Sequence, residues 1–190
     1  MADRRGEIVR AALDVVREGG LGAFTQPRVA RRAGLRQSHL TYYFPTRDDL
    51  LAAVAHEAVQ QRIAALAPVG DAEGAEGKLA ALLDVLVAPE QTRVLLALTQ
   101  SAELDDAVRA SMAQLGRGIA PLGAALLTAF GVPVTPTALD ALQTTSTGVA
   151  VLALAQGGEQ FRPRAEAVLT TLLTGMSDHS REAPCPRASR

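Results

Sequence analysis

The sequence predicts an all-α protein, and three observations support this fold class. Hydrophobic residues make up 48% of the chain but aromatic residues only 3%, so Ala and Leu supply most of the apolar side chains. Both residues favour helices, whereas runs of β-branched residues, which favour strands, are few. Apolar residues also recur at the spacing of a helix face, as Ile8, Ala12 and Val16 do near the N-terminus.

The helix boundaries follow from caps, glycines and prolines. A first helix over residues 4–18 should end at Gly19 and Gly20, and a helix capped by Thr46 should end near Leu66, before Pro68. Residues 69–77 form a predicted linker. Further helices are expected over residues 78–87, 89–102, 104–130, 135–155 and 161–176, and Pro121 should kink or split the third of these.

Two short helices joined by a glycine turn are predicted between Thr25 and Arg47. Thr25 is a favourable N-cap, and Pro27 lies in the first turn, where a missing N–H costs nothing. Gly34 ends this helix at low steric cost, and a second helix fits residues 37–44. The pattern therefore predicts a helix-turn-helix hairpin.

The second helix of this hairpin presents hydrogen-bonding groups without an acid among them. Its exposed residues are predicted to be Arg36, Gln37, Ser38, Thr41, Tyr42 and Tyr43. Base edges and phosphates both form hydrogen bonds with such groups, so this face suits the major groove of DNA. The alternative is a polar, solvated face on a small hairpin, although such faces usually mix Glu and Lys.

Three segments resemble the DNA-binding domain of the TetR family of bacterial repressors. They are residues 8–13 (IVRAAL), 29–35 (VARRAGL) and 40–50 (LTYYFPTRDDL). The remainder of the chain fits this family in length and helical pattern only. The predicted division is a helix-turn-helix DNA-binding domain in residues 1–46, a helical effector-binding and dimerisation domain in residues 47–178, and a disordered tail in residues 179–190.

The candidate DNA contacts divide into base and phosphate contacts. Gln37 and Thr41 are expected to contact base edges, with Ser38 as a further candidate. Thr25 and Gln26 open the supporting helix, whose unpaired N–H groups suit a phosphate.

The resemblance adds three phosphate contacts and one departure from the family pattern. It implies that Tyr42, Tyr43 and Arg47 contact phosphate. Arg36 stands where many family members carry the serine that caps the recognition helix. This departure either removes the cap or places an arginine beside guanine or phosphate.

Charge is distributed unevenly along the chain. Up to Arg47 there are nine arginines and four acidic residues, an excess of five positive charges; because the net charge of the whole chain is −1, the remainder carries −6. A basic head on an acidic body indicates a nucleic-acid partner at one end. Charged residues near the start of the chain argue against a signal peptide. The apolar runs are too short or too interrupted to span a membrane. The single Cys185 excludes an intrachain disulfide, and we expect a cytoplasmic protein without a membrane partner.

The last two predicted helices are apolar over much of their surface. Val149, Val151, Leu152 and Leu154 leave little polar face on the first of them. Such a helix must be buried on more than one side. The resemblance implies a homodimer in which these helices pair with their copies as a four-helix bundle. A twofold dimer would read a palindromic operator with half-sites about 34 Å, or a multiple of this, apart.

The body helices carry isolated polar residues among apolar ones, the composition of a pocket for a small organic effector. The candidate pocket residues are Leu95, Thr99, Met112, Leu115, Gln143, Thr144 and Thr147. No charged cluster lies near them, so a mainly apolar or neutral ligand is expected. Alternatively, the Thr hydroxyls bond to their own helices and the Gln side chains face solvent.

No catalytic or metal-binding pattern is evident. His39, His56 and His179 lack metal-ligand spacing, and no nucleophile motif surrounds a serine. We therefore expect no enzyme activity, metal or cofactor. The sequence favours a homodimeric, sequence-specific transcriptional regulator, most simply a repressor that a small ligand releases from DNA. The alternatives are an enzyme or carrier that reuses the helical fold, and an architectural DNA-binding protein without a specific operator.

Overall fold

The computed structural model describes residues 3–182, and side chains over residues 3–180. This part of the chain is helical and has no strand, which confirms the predicted all-α fold. The α-helices are α1 (Arg4–Gly19), α2 (Gln26–Arg32), α3 (Gln37–Tyr43), α4 (Arg47–Asp71), α5 (Gly74–Leu86), α6 (Pro89–Ala102), α7 (Asp106–Ala129), α8 (Pro136–Gln156) and α9 (Arg162–Glu182). Short 3₁₀ turns lie at Leu21–Ala23 and Gly158–Phe161.

Local capping residues define several helix ends as predicted. The Thr25 hydroxyl accepts a hydrogen bond from the backbone N–H of Arg28, and that of Thr135 accepts one from Ala138. Gly157 ends α8 with a φ of +99°, a conformation that glycine adopts without a Cβ clash.

The fourth helix, α4, continues through Pro68 to Asp71, so the predicted linker over residues 69–77 is wrong for most of its length. A proline removes one N–H from a helix, but packing can outweigh this loss. Val69 is buried, and the Lys78 ammonium donates to the carbonyl oxygens of Val69 and Gly70 at 3.1 and 2.7 Å. A cation at these last carbonyls stabilises the end of α4.

The seventh helix, α7, passes through Pro121 without interruption, so of the two predicted outcomes the split is wrong, and the kink stays a prediction. The glycines near this proline allow close packing. A Cβ on Gly118 would overlap the side chain of Ile63, and one on Gly123 would press against Leu139. Tertiary packing at these glycines therefore outweighs their low helix propensity.

The last helix, α9, reaches Glu182 and so extends into the segment that was predicted to be a disordered tail from residue 179. Ser177 is buried, and the Ser180 hydroxyl donates to the carbonyl oxygen of Met176 at 2.8 Å. The rest of the predicted tail, residues 183–190, lies outside the described residues.

The chain packs as two compact units that do not follow the predicted boundary after residue 46. The first comprises residues up to Ala65 together with Ala88–Ile119, and the second comprises Leu66–Val87 together with residues from Ala120 onward. In the first unit α1 packs against α2 and α6, and α2 packs against α3. In the second unit α5, α8 and α9 pack against one another. The functional division at residue 46 stays a prediction.

The core of the first unit anchors the predicted helix-turn-helix hairpin. Its largest fully buried side chains are Ile8, Leu13, Phe24, Leu40, Phe44 and Leu50. Because Leu40 and Phe44 lie on and directly after α3, they join that helix to a continuous core that also contains residues of α1, α2 and α4. The opposite face of α3 is thereby left to solvent.

Candidate functional site

The turn between α2 and α3 is closed by backbone hydrogen bonds. Gly34 N–H donates to the carbonyl oxygen of Arg31 at 3.2 Å, and Leu35 N–H donates to that of Ala30 at 2.8 Å. Gly34 has a φ of +67°, which disfavours residues with a Cβ. The sequence therefore forms the predicted helix-turn-helix hairpin through local backbone geometry and the Leu40–Phe44 anchor.

The outward face of α3 carries the predicted DNA-contacting side chains. Gln37 and Ser38 are exposed, and Tyr42 is 82% exposed against 38% for Tyr43. The two tyrosine rings meet edge to face, with centroids 5.2 Å apart. Such a face can present an amide, hydroxyls and two phenols to a groove.

Thr41 is half-buried, and its hydroxyl is already used within α3. Its O–H lies 3.2 Å from the carbonyl oxygen of Gln37 and 3.1 Å from that of Ser38. The hydroxyl proton is therefore committed to the backbone, and the methyl group and an oxygen lone pair remain for DNA. A methyl contact with thymine is compatible with this arrangement.

Arg36 occupies the N-cap position of α3 with extended backbone and no side-chain capping bond. The loss of the cap, one of the two consequences expected from this departure, is therefore observed. Its side chain is exposed. The guanidinium can thus reach a phosphate or a guanine edge without breaking a cap.

Two of the predicted phosphate contacts, Gln26 and Arg47, also hold the hairpin together. The Gln26 amide donates to the carbonyl oxygen of Phe44 at 3.0 Å. Arg47 Nε donates to the carbonyl oxygen of Phe24 at 3.4 Å, and its guanidinium lies 5.3 Å from the centre of the Phe24 ring. These structural contacts were missed because they join residues far apart in sequence.

The first turn of α4 is fixed by a reciprocal cap. Asp49 N–H donates to the Thr46 hydroxyl at 3.0 Å, while the backbone N–H and the hydroxyl of Thr46 both donate to the Asp49 carboxylate. These hydrogen bonds, the hydroxyl first, lower the pKa of Asp49. The predicted Thr46 cap is confirmed, and it defines where α4 leaves the hairpin.

A small cavity lies within the first unit, between α4, α6 and α7. Its volume is about 20 Å³, room for one water molecule. Ala58, Val59, Arg62, Gln91, Val94, Leu95, Leu98 and Leu115 line it. A drug-sized ligand needs about 300 Å³ or more, so one could enter only if side chains moved apart.

The candidate effector residues are dispersed, and two of them reach this cavity. Leu95 and Leu115 line it, and Met112 packs against the core of the first unit. Thr99 is exposed, with its hydroxyl bonded to the carbonyl oxygen of Leu95 at 2.9 Å. The remaining three lie exposed on α8 in the second unit: Gln143, Thr144 and Thr147. The sequence also predicts that the ligand lies against the helix that follows Thr46, but it singles out none of the lining residues on α4, because their neighbours on α6 and α7 are distant in sequence.

The exposed surface of α8 and α9 includes a group of apolar and small residues. Leu152 is 45% exposed and Val168 is 40% exposed. The neighbouring exposed positions on these helices are Thr147, Gly148, Ala155, Ala167, Thr171 and Gly175. Among the described helices α8 is also long and apolar enough to cross a membrane by length and composition alone, a test that core helices of soluble proteins also pass.

These features define the class of protein. A helix-turn-helix hairpin with an exposed second helix, followed by a helical body, is the architecture of a DNA-binding transcriptional regulator. Residues 8–54 match the family described as bacterial regulatory proteins, tetR family. The chain therefore carries the TetR-type N-terminal domain and resembles TetR-family regulators.

Solved structures share the fold over nearly the whole chain. A transcriptional regulator from Rhodococcus sp. Rha1 matches with a TM-score of 0.77 at 22% identity, covering 92% of this chain and 96% of that one. A TetR transcription regulator from Haloarcula marismortui ATCC 43049 matches with a TM-score of 0.73 at 22% identity, covering 93% and 99%. At this identity the likeness shows the fold alone.

A third similar structure contains a ligand. The multidrug binding protein EbrR, complexed with ethidium, matches with a TM-score of 0.67 at 27% identity, covering 90% of this chain and 98% of that one. A comparison with curated protein sequences gave no match.

Proposed function

We propose that this protein is a homodimeric repressor that binds a palindromic operator and is released from it by a small organic ligand. The observation that carries the proposal is the outward face of α3, which is rich in hydrogen-bonding groups while Leu40 and Phe44 anchor the opposite face. The TetR-type domain match supports the DNA-binding part. A cytoplasmic location follows from this function.

The proposed DNA contacts fall into base contacts and phosphate contacts, and some of these side chains already have partners within the protein. Gln37 and Ser38 contact base edges, and Thr41 contributes its methyl group. Phosphates are contacted by Thr25, Gln26, Arg36, Tyr42, Tyr43 and Arg47. Gln26 and Arg47 have a second role, because both also fasten the hairpin. Loss of either would therefore lower stability as well as DNA affinity.

Dimerisation is proposed through the outer surface of α8 and α9. Small exposed residues allow close approach of two helix pairs, and Leu152 and Val168 supply apolar contact. A dimer is also what the recognition helix needs, because the seven residues of α3 read few base pairs alone.

Ligand release is proposed to act through Arg17, which joins α1 to α4 and α6, two of the three helices that line the cavity. Its guanidinium donates to the Gln61 amide oxygen on α4 at 2.5 Å, and its carbonyl oxygen accepts from Arg93 on α6 at 3.4 Å. Gln61 is adjacent to Arg62, and Arg93 lies two residues from Gln91, and both neighbours line the cavity. A ligand that separates α4 from α6 would therefore displace α1, against which α2 packs. A coupling of about 1–3 kcal/mol is enough for regulation.

Duplex selection tests the DNA-binding part. The full chain is used to enrich duplexes from a random pool, and affinity for the selected duplex is compared with that for a shuffled one. We expect a preference of about a thousandfold or more for the selected duplex. Equal affinity would favour an architectural protein, and an activity that survives deletion of residues 1–46 would favour an enzyme or carrier.

The oligomeric part is tested by sedimentation. Wild type should sediment as a dimer, and Val168→Asp should sediment as a monomer and lose the operator preference. Leu104→Asp is the matched control, because Leu104 is 90% exposed outside α8 and α9. A wild-type monomer that still selects one duplex would refute the dimer proposal.

A further inference from the structure

The small cavity between α4, α6 and α7 is lined mostly by apolar residues, with two polar residues among them. Six of its eight lining residues are apolar: Ala58, Val59, Val94, Leu95, Leu98 and Leu115. The other two are Gln91 on α6 and Arg62 on α4. An apolar wall with a few fixed polar groups is the composition of a small-molecule site, and the polar groups decide which ligand it accepts.

Arg62 brings a permanent positive charge to this lining. Its side chain is half-buried, and the burial lowers its pKa, yet arginine remains protonated at neutral pH. Arg62 also has an interaction within the protein. Because a guanidinium carries five N–H donors in a planar fork, it can serve more than one partner, and two of these donors suit the two oxygens of a carboxylate.

We propose that the effector is a small organic monocarboxylate with an apolar body, and that Arg62 binds its carboxylate. This inference rests on the ligand-regulated function proposed above and names the chemistry of the ligand. Gln91 supplies a second donor, and the apolar body displaces flexible side chains such as Leu95 and Leu98, because the cavity of about 20 Å³ is too small for it. Entry of the ligand therefore separates α4 from α6.

A carboxylate ligand differs from the ligand that the sequence favoured and from the ligand in the EbrR structure. The sequence favoured a mainly apolar or neutral ligand because no charged cluster lay near the candidate pocket residues, and Arg62 was not among those residues. EbrR is complexed with ethidium, an organic cation. A cation in the present cavity would meet the charge of Arg62 in a partly desolvated site, where repulsion between like charges is stronger than in water.

Three probes that share one ring system and differ in charge test the inference: naphthoate, naphthamide and naphthylmethylammonium. Calorimetric titration of the full-length dimer should show naphthoate binding about tenfold or more tightly than naphthamide, with the ammonium compound weakest. Arg62→Met should abolish the preference for naphthoate. Arg117→Met should leave it intact, because Arg117 is exposed on α7 outside the lining.

Folding of each variant is checked by far-ultraviolet circular dichroism. Should Arg62→Met not fold, Arg62→Lys replaces it, and this variant should keep the order of anion over cation while losing most of the advantage of naphthoate over the amide. Equal binding of the three probes, binding of none of them, tighter binding of ethidium than of naphthoate, or a naphthoate preference that survives Arg62→Met would each overturn the inference.

Operator affinity, measured on the same wild-type samples, separates this inference from the proposed function. Naphthoate at saturation should weaken operator binding at least several-fold. Operator binding without any probe binding would leave the DNA-binding proposal standing and end the carboxylate inference. Absence of operator binding would end the proposed function itself.

Discussion

Replacing Leu40 by Ala should test how α3 is held in place. Leu40 is fully buried in the core that also contains Ile8, Phe44 and Leu50. Truncating a buried leucine costs about 2–5 kcal/mol, the sum of the reduced burial and the cavity that remains. Since α3 has only seven residues and no side-chain cap, it has little stability of its own to offset the loss. We expect a value in the upper half of that range.

The assay is urea unfolding followed by circular dichroism, at one fixed protein concentration because a dimer is expected. Leu104→Ala serves as the matched control, since it removes the same atoms from a side chain that is 90% exposed. It should change the free energy of unfolding by less than about 0.5 kcal/mol. The melting temperature of Leu40→Ala should fall by about 2–4 °C for each kcal/mol of destabilisation.

Operator binding by Leu40→Ala should fall as well, under conditions in which most molecules remain folded. The reason is that α3 would no longer be held in one orientation against the core that it shares with α1, α2 and α4. A cost below about 1 kcal/mol, or one equal to that of Leu104→Ala, would refute the claim that Leu40 anchors the recognition helix.

Three further outcomes are expected. Gln37→Ala should reduce discrimination between the operator and a mutated operator by about 1–3 kcal/mol, whereas Tyr42→Phe should weaken binding to all duplexes alike in anisotropy titrations. Gln61→Ala, which removes the amide that joins α4 to Arg17, should leave ligand affinity nearly unchanged but reduce the effect of bound ligand on operator affinity; an unchanged effect would exclude this route. Stability should depend on pH through Asp49: because its folded pKa is lowered, the stabilisation is present above the unfolded value of about 3.9 and is lost as pH falls through the folded value. Asp49→Asn should flatten the acid unfolding curve in this range, so a curve equal to that of wild type would contradict the assignment.

Features that depend on neighbouring residues were predictable from the sequence. Thr25, Thr46 and Thr135 cap helices with groups no more than three residues away, so their roles follow from local geometry. Gly34 and Gly157 adopt positive φ where a helix must end. The fold class and the outward face of α3 follow from the same kind of local information.

Features that depend on distant partners were not predictable. Pro68 and Pro121 remain inside helices because these helices are stabilised by contacts with residues elsewhere in the chain. Lys78 bonds to the end of α4, and Ile63 packs against Gly118 on α7. Arg47 has a structural partner 23 residues away in Phe24. Arg62 is separated in sequence from the α6 and α7 residues that line the same cavity, so only the packed structure groups them.

The arginines of the basic head show why net charge is a poor guide to the number of bound phosphates. Three of the nine are paired with acids of the same segment: Arg4 with Glu7, Arg17 with Asp14, and Arg32 with Glu18. Two lie against aromatic rings, Arg5 on Phe44 and Arg47 on Phe24. The four others, Arg10, Arg28, Arg31 and Arg36, are exposed.

Arginines already neutralised by acids release few counterions from DNA, so the salt dependence of operator binding should follow the remaining residues. Each neutralised phosphate contributes about 0.9 to the slope of log affinity against log salt. Arg36→Ala, at an exposed position proposed to contact phosphate, should therefore lower this slope by up to about one unit, whereas Arg32→Ala should leave it nearly unchanged. Equal effects of the two substitutions on the slope would mean that the Arg32–Glu18 ion pair opens when DNA binds.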